Sequence, residues 1–219
     1  MMMPDYLHDQ ASGARCAPVA EAIYQAIVAE PTLSAQADPF TAHVLACVLS
    51  ICLGEAIEGR ETLSAAIGLD RANLDALTAQ WAPAARSFFE LAAEPVSVTR
   101  DEEEEQLYDL LTRFRSDSSL LCGWIISIVA RRAMAPTHLW QDLGLFERPE
   151  LTRLMSKWFP ALAASNTNNM KWKKFFYRQL CELEGFSLCA APTCRECDDF
   201  DNCFGEEGGE STLARLRPR

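Results

Sequence analysis

Four cysteines, Cys189, Cys194, Cys197 and Cys203, fall in one 15-residue window with the spacing C-x4-C-x2-C-x5-C. A C-x2-C pair lets two thiolates converge on one centre from a tight turn. Gly185 before the window, Pro192 inside it, and Gly205, Gly208 and Gly209 after it supply turn residues. Thiolates are soft ligands that suit iron–sulfur clusters, zinc or Cu(I). Structural zinc sites favour two short knuckles separated by a longer stretch. Here all four thiols lie in one compact run with a single x2 gap, the pattern of chain wrapped around a cubane cluster, which favours an iron–sulfur type site over zinc. The other five of the nine cysteines are scattered: Cys16, Cys47, Cys52, Cys122 and Cys181. Cys47, Cys52 and Cys122 sit in apolar helical stretches and read as small hydrophobes. Cys181 closes a helix just ahead of the window and reads as packing.

The loop that carries the window is acidic, with Glu196, Asp198, Asp199, Asp201, Glu206 and Glu207 against Arg195. That charge repels anions and attracts cations. Cations stand just upstream: Lys171, Lys173, Lys174 and Arg178. Lys171, Lys174 and Arg178 share one helix face by i, i+3 and i+4 spacing, while Trp172, Phe175, Phe176 and Leu180 point elsewhere. This basic face is a candidate for receiving an oxyanion or for docking an acidic partner, against the plainer reading of a solvated face. His138, at a helix start after Pro136, is a candidate metal ligand, against the commoner reading of a capping or hydrogen-bonded histidine. His8 and His43 read as structural or incidental.

The elements that must position these groups are helices. Val19, Ile23, Ile27 and Val28 recur at helical spacing before Pro31. Phe40–Ile57 is apolar nearly all round, which predicts a central buried helix. Further helices are predicted over 61–67, 71–81, 83–93, 101–115 and 120–134, the last strongly buried. The acidic run Asp101–Glu105 suits a helix N-terminus by its dipole. No sustained strand alternation occurs, so the fold class is all-α. The series Leu63, Ile67, Gly68, Leu69, Leu74, Leu77, Trp81, Pro83 returns as Leu139, Leu143, Gly144, Leu145, Leu151, Leu154, Trp158, Pro160. Each copy follows one of the two apolar helices and precedes a Phe-Phe pair, an internal duplication in pattern. The predicted organisation is a mobile tail over 1–16, a helical domain over 17–180 with related units at about 40–93 and 115–180, an irregular cluster-binding loop over 181–208, and a flexible tail over 209–219.

The whole chain has 219 residues, 49% apolar and 23% charged, enough for one domain or two small ones with a real core. Its net charge of −11 opposes binding to a phosphate backbone. The pair 63–69 and 74–81 has helix-turn-helix spacing. The exposed positions of its second helix, predicted as Asn73, Asp75, Thr78 and Gln80 with only Arg71 basic, do not suit a DNA-recognition helix. Residues 1–10 carry Asp5 and Asp9 and no apolar core of a signal peptide. The longest apolar stretch, Leu120–Ala130, is shorter than the roughly 20 residues that span a bilayer. The expectation is a cytoplasmic protein that binds neither membrane nor nucleic acid, in a reducing compartment where clustered cysteines hold metal rather than disulfides.

The segment His138-Leu-Trp-Gln-Asp-Leu-Gly-Leu, the stretch Met170-Lys-Trp-Lys-Lys-Phe-Phe-Tyr-Arg-Gln-Leu-Cys181, and the cysteine run ending Cys203-Phe-Gly-Glu resemble the NifQ family of nitrogen-fixation proteins. The resemblance is strongest over 138–207. It implies a molybdenum–iron–sulfur cluster held by Cys189, Cys194, Cys197 and Cys203. It also implies delivery of molybdenum, drawn from molybdate, to assembly of the nitrogenase iron–molybdenum cofactor on the NifEN scaffold with NifH. No nucleophile elbow, phosphate loop or zinc-protease motif is present, which favours a donor protein over a turnover enzyme. Two other readings compete. An iron–sulfur DNA glycosylase also pairs an all-α body with a four-cysteine loop, but its hairpin motif and a positive DNA-facing charge are missing. A zinc-stabilised helical interaction module is the third.

Overall fold

The computed structural model describes residues 10–92, 98–183, 203 and 206–217, with side chains from residue 17 onward. Among the described residues there are helices and turns and no strand. The first helix, α1 (Gln10–Ala29), is followed by α2 (Leu33–Ala37) and α3 (Pro39–Ile57). Thr32 caps α2 by accepting from Ala35 N, and Asp38 caps α3 by accepting from Thr41 N, with Pro39 at the first helical position. Helix α1 begins at Gln10, inside the region that the sequence assigns to a tail. Its apolar residues Ala20, Ile23, Tyr24 and Ile27 are buried, and it lies along α3.

Helix α3 is the central element. By length and composition it is the one described helix able to cross a membrane, yet most of it is buried within the protein. Cys47 and Cys52 within it are fully buried, like Cys122 further on. Two short helices follow, α4 (Leu63–Ile67) and α5 (Arg71–Trp81), capped by Thr62 and Asp70. Thr78, predicted as exposed on α5, is fully buried, and its hydroxyl donates to Leu74 O. A helical hydroxyl that bonds back four residues can be buried without an orphaned donor. The α-helix predicted over 83–93 is instead a 3-10 helix over Pro83–Leu91.

The second half opens with α6 (Glu102–Arg113), capped by Asp101, and α7 (Leu120–Ala133), capped by Ser119. After these come α8 (Leu139–Asp142), α9 (Arg148–Trp158), α10 (Pro160–Ser165) and α11 (Trp172–Leu183). Helix α6 packs on α7, and both α4 and α5 also meet α7. The repeated sequence series has repeated geometry. Gly68 ends α4 at φ 76° and Gly144 follows α8 at φ 69°. A Cβ on Gly68 would come within 2.8 Å of Arg131 Cβ and 3.0 Å of Ser127 O, both on α7. A Cβ on Gly144 would come within 2.5 Å of Ile51 Cγ1 and 3.1 Å of Cys47 O, both on α3. Each glycine therefore backs onto the long helix of the opposite half. The exits match as well: Ala82 (φ −150°, ψ 59°) precedes Pro83, and Phe159 (φ −136°, ψ 58°) precedes Pro160.

Residues 211–217, assigned by the sequence to a tail, return to this body. Leu213 is fully buried and Ser211 nearly so, and a short 3-10 turn spans Ala214–Leu216. Arg217 Nη1 lies 2.6 Å from Glu147 Oε2, and Arg215 pairs with Glu21 on α1. One apolar side chain with a core pocket to fill outweighs the polar composition of this stretch.

Candidate functional site

Helix α11 carries the approach to the cysteine window. Trp172, Phe175 and Phe176 are buried and form an aromatic group, with Trp172 and Phe175 ring centroids 5.8 Å apart in an edge-on pair. This burial fixes which way the neighbouring cations face. Lys174 is exposed, Lys171 is half-buried, and Arg178 Nε lies 2.8 Å from Glu182 Oε1 one turn on. Lys173, which the helical wheel leaves apart from the basic face, turns inward. Its Nζ donates to Asp142 Oδ2 at 2.6 Å and to Ala135 O. Burial pushes the Lys173 ammonium below its ordinary range, and the Asp142 carboxylate opposes that.

Of the four window cysteines, Cys203 lies within the described residues, and Cys189, Cys194 and Cys197 lie outside them. Cys203 is half-buried against the apolar core, and its carbonyl accepts from Lys171 N at 2.8 Å. The chain just after it is held at several points. Glu207 has a side chain only 4% exposed; Arg148 Nε lies 3.2 Å from its Oε2 and His138 Nδ1 lies 3.8 Å from its Oε1. Gln141 Nε2 donates to Gly208 O at 3.3 Å. Gly209 adopts φ 92°, and a Cβ there would come within 2.8 Å of Gln141 Nε2. His138 itself stands at the start of α8, where its backbone N donates to Gln141 Oε1 at 3.2 Å. Among the described residues, no group of three or more His, Cys, Asp or Glu side chains could hold a metal ion. Four thiolates of the kind the cysteine window carries suit an iron–sulfur type cluster chemically.

Sequence reasoning missed a buried charge network between the two halves. Arg132, at the end of α7, makes a bidentate pair with Glu55 of α3 at 2.8 and 3.0 Å. It also donates to Asp142 O at 2.8 Å and Ala66 O at 3.3 Å. Asp142 in turn receives Lys173 and the Thr137 hydroxyl. Beside this network lies a cavity of about 520 Å³ lined by Glu55, Arg60, Glu61, Arg132 and Asp142, with Glu210 and Ser211 from the chain that follows the cysteines. Its carboxylates outnumber its cations, which makes it a poor oxyanion site. In sequence, Arg132 looks like the polar end of an apolar helix, and only its tertiary partners show it to be buried.

His43 takes the structural one of its two sequence readings. Its Nδ1 is 2.9 Å from Tyr24 Oη, and its Nε2 is 3.2 Å from Glu150 Oε1. Cys47 Sγ lies 3.7 Å from the ring. Burial, followed by the nearby Glu150 charge, raises the Cys47 thiol well above its ordinary value, so it stays protonated. For Glu150, burial pushes the carboxyl up, but the bond to His43 and the backbone donor at Phe146 outweigh it and hold the carboxyl below its ordinary value. No sequence signal links residues 24, 43 and 150, because three separate helices bring them together.

The model of the NifQ family matches residues 44–205, a span that includes all four window cysteines. A protein described as a NifQ homolog from Sinorhizobium fredii is 42% identical over 172 residues, covering 78% of this chain and 75% of that protein. A NifQ protein from Rhodobacter capsulatus is 38% identical over 169 residues, covering 76% of this chain and 91% of its own length. One from Azotobacter vinelandii is 44% identical over 118 residues, covering 54% and 60%. No solved structure matches the chain.

Proposed function

The chain belongs to the NifQ family, and on that premise we propose that it acts in nitrogen fixation as a carrier of a molybdenum–iron–sulfur cluster. The proposed ligands are Cys189, Cys194, Cys197 and Cys203. The observation that carries this reading is the compact C-x4-C-x2-C-x5-C window, which lies entirely inside the family match. Molybdate is a hard oxyanion, and taking molybdenum into a thiolate-held site requires sulfide to replace oxo ligands; an iron–sulfur group supplies that sulfide and electrons. The chain's own part is to present thiolates, to keep them beside an apolar helical body, and to surround them with charge that discourages free anions.

The loaded protein then donates molybdenum to the cofactor-assembly proteins NifEN and NifH in the cytoplasm, as a donor rather than a turnover enzyme. Lys174 is exposed on the helix that precedes the window in sequence, with Lys171 and Arg178 on the same helix, so this face is the proposed entry point for molybdate or dock for an acidic partner. The matched glycine turns and Trp-X-Pro exits support descent of the two helical units from one duplicated unit, with the cysteine loop added at the end.

Anaerobic isolation from molybdate-fed, nitrogen-fixing cells followed by metal analysis tests the reading. Iron together with molybdenum is expected, and Cys194→Ala combined with Cys197→Ala should abolish both. Protein carrying zinc, or neither iron nor molybdenum, overturns it. Charge reversal at Lys171 and Lys174 should slow molybdenum loading or transfer; unchanged loading and transfer removes the entry-face role.

A further inference from the structure

The cavity of about 520 Å³ beside the Arg132 network has the size of a small-molecule site, and its charges can be balanced one by one. Arg132 is matched by Glu55 at 2.8 Å, Arg60 by Glu58 at 2.8 Å, and Asp142 by Lys173 at 2.6 Å. Two lining carboxylates are left over. Glu61 stands in the turn before α4, and Glu210 in the chain that returns to the body after the cysteines. Both are exposed, and neither has an ion pair or a hydrogen bond to another described residue. Ser211, next to Glu210, lines the same cavity. It is 7% exposed, and its Oγ is buried with no hydrogen-bond partner among the described residues. A buried hydroxyl in that state is costly, and a bound molecule that completes it recovers the loss. The rest of the wall includes apolar Ile51, Ala135 and Pro136.

We propose that this cavity binds a small organic dication: a diamine whose two protonated amino groups are joined by a short methylene stem. Glu61 and Glu210 receive the two ammonium groups, the Ser211 hydroxyl accepts one N–H, and the stem lies on Ile51, Ala135 and Pro136. The charge balance selects the sign of the ligand. An anion meets two unmatched carboxylates, and the walls of a cleft strengthen the field that a cation feels. The donor set selects an amine over a metal ion. Among the described residues no three metal-ligating side chains come together, so a bare divalent ion finds no coordination shell. An ammonium group needs only one acceptor for each N–H. Glu61 and Glu210 come from opposite ends of the chain, so the bound diamine also ties the returning C-terminal segment to the helical body.

The test uses the full chain and putrescine (1,4-diaminobutane), followed by isothermal titration calorimetry at low ionic strength and by melting temperature. Saturable binding is expected, with a melting temperature that climbs as putrescine is added. Glu61→Gln and Glu210→Gln should each weaken binding about tenfold or more, and Ser211→Ala about threefold. n-Butylamine has the same stem and one amino group, and it should bind about tenfold more weakly than putrescine. Glu102→Gln, on the exposed start of α6 and outside the cavity lining, controls for the net charge of −11 and should leave binding unchanged. Glu61 and Glu210 are exposed, so their glutamine variants keep the fold and the comparison stays readable. Absence of saturable putrescine binding overturns the proposal. So does a loss in Glu102→Gln equal to that in Glu61→Gln, which would mean general attraction to an acidic chain. Magnesium ion binding at Glu61 and Glu210 more tightly than putrescine also overturns it, in favour of an inorganic cation.

Discussion

The ionisable residues that matter most in this protein are those whose charge is taken out of water and answered by a specific partner. Arg132 is the clearest case: its buried guanidinium pairs with Glu55 and donates to the carbonyls of Asp142 and Ala66. Breaking such a pair on one side costs about 3–5 kcal/mol, because the remaining charge stays buried. Glu150 gives a pH-dependent version of the same physics. Its carboxyl is held below the ordinary value of 4.5. Its contribution to stability is therefore complete above that value and is lost as the pH falls through the lower folded value. Melting temperature followed across the acid range should decline less steeply for Glu150→Gln than for wild type, because glutamine has no proton to gain. Parallel curves would mean that the His43 bond does not stabilise the fold. The sequence shows that a carboxylate stands at position 150; that it meets a histidine 107 residues earlier in the chain is a tertiary fact.

At the level of elements, caps and periodicity account for most of what is seen. Thr32, Asp38, Thr62, Asp70, Asp101 and Ser119 each accept from the backbone N–H three residues on, the local arrangement that starts a helix. The two glycine turns are where local and tertiary demands coincide. Gly144→Ala must accept positive φ and also push a Cβ into Ile51, whereas Gly59, at φ 73°, has open space around it. Chemical denaturation should show Gly59→Ala costing about 1 kcal/mol, the left-handed backbone penalty alone. Gly144→Ala should cost about 1–3 kcal/mol more, from overpacking. Equal losses would mean that α8 shifts freely away from α3. The 3-10 form of Pro83–Leu91 is the element that periodicity misjudged. Its apolar residues do recur at helical spacing, but a single apolar stripe cannot tell three residues per turn from 3.6 over so short a run.

On the scale of the whole molecule, the chain after the cysteines closes the structure by returning to it. A stop codon after Glu210 removes Leu213, whose full burial contributes about 2 kcal/mol. The truncated protein should melt about 4–8 °C lower, and an unchanged melting temperature would mean that Leu213 adds nothing to the core. The sequence by itself determined the all-α class, the two apolar core helices, the NifQ resemblance and the cysteine window, because each is written in local spacing or in residue types that have few alternatives. Tertiary structure decided which charges are buried, which cation turns inward, that the C-terminal segment docks, and that the buried Glu207 carboxylate meets Arg148. Those outcomes depend on groups far apart in the chain whose desolvation must be matched at a common point. No local pattern encodes that match, because either partner alone would serve equally well on a solvated surface.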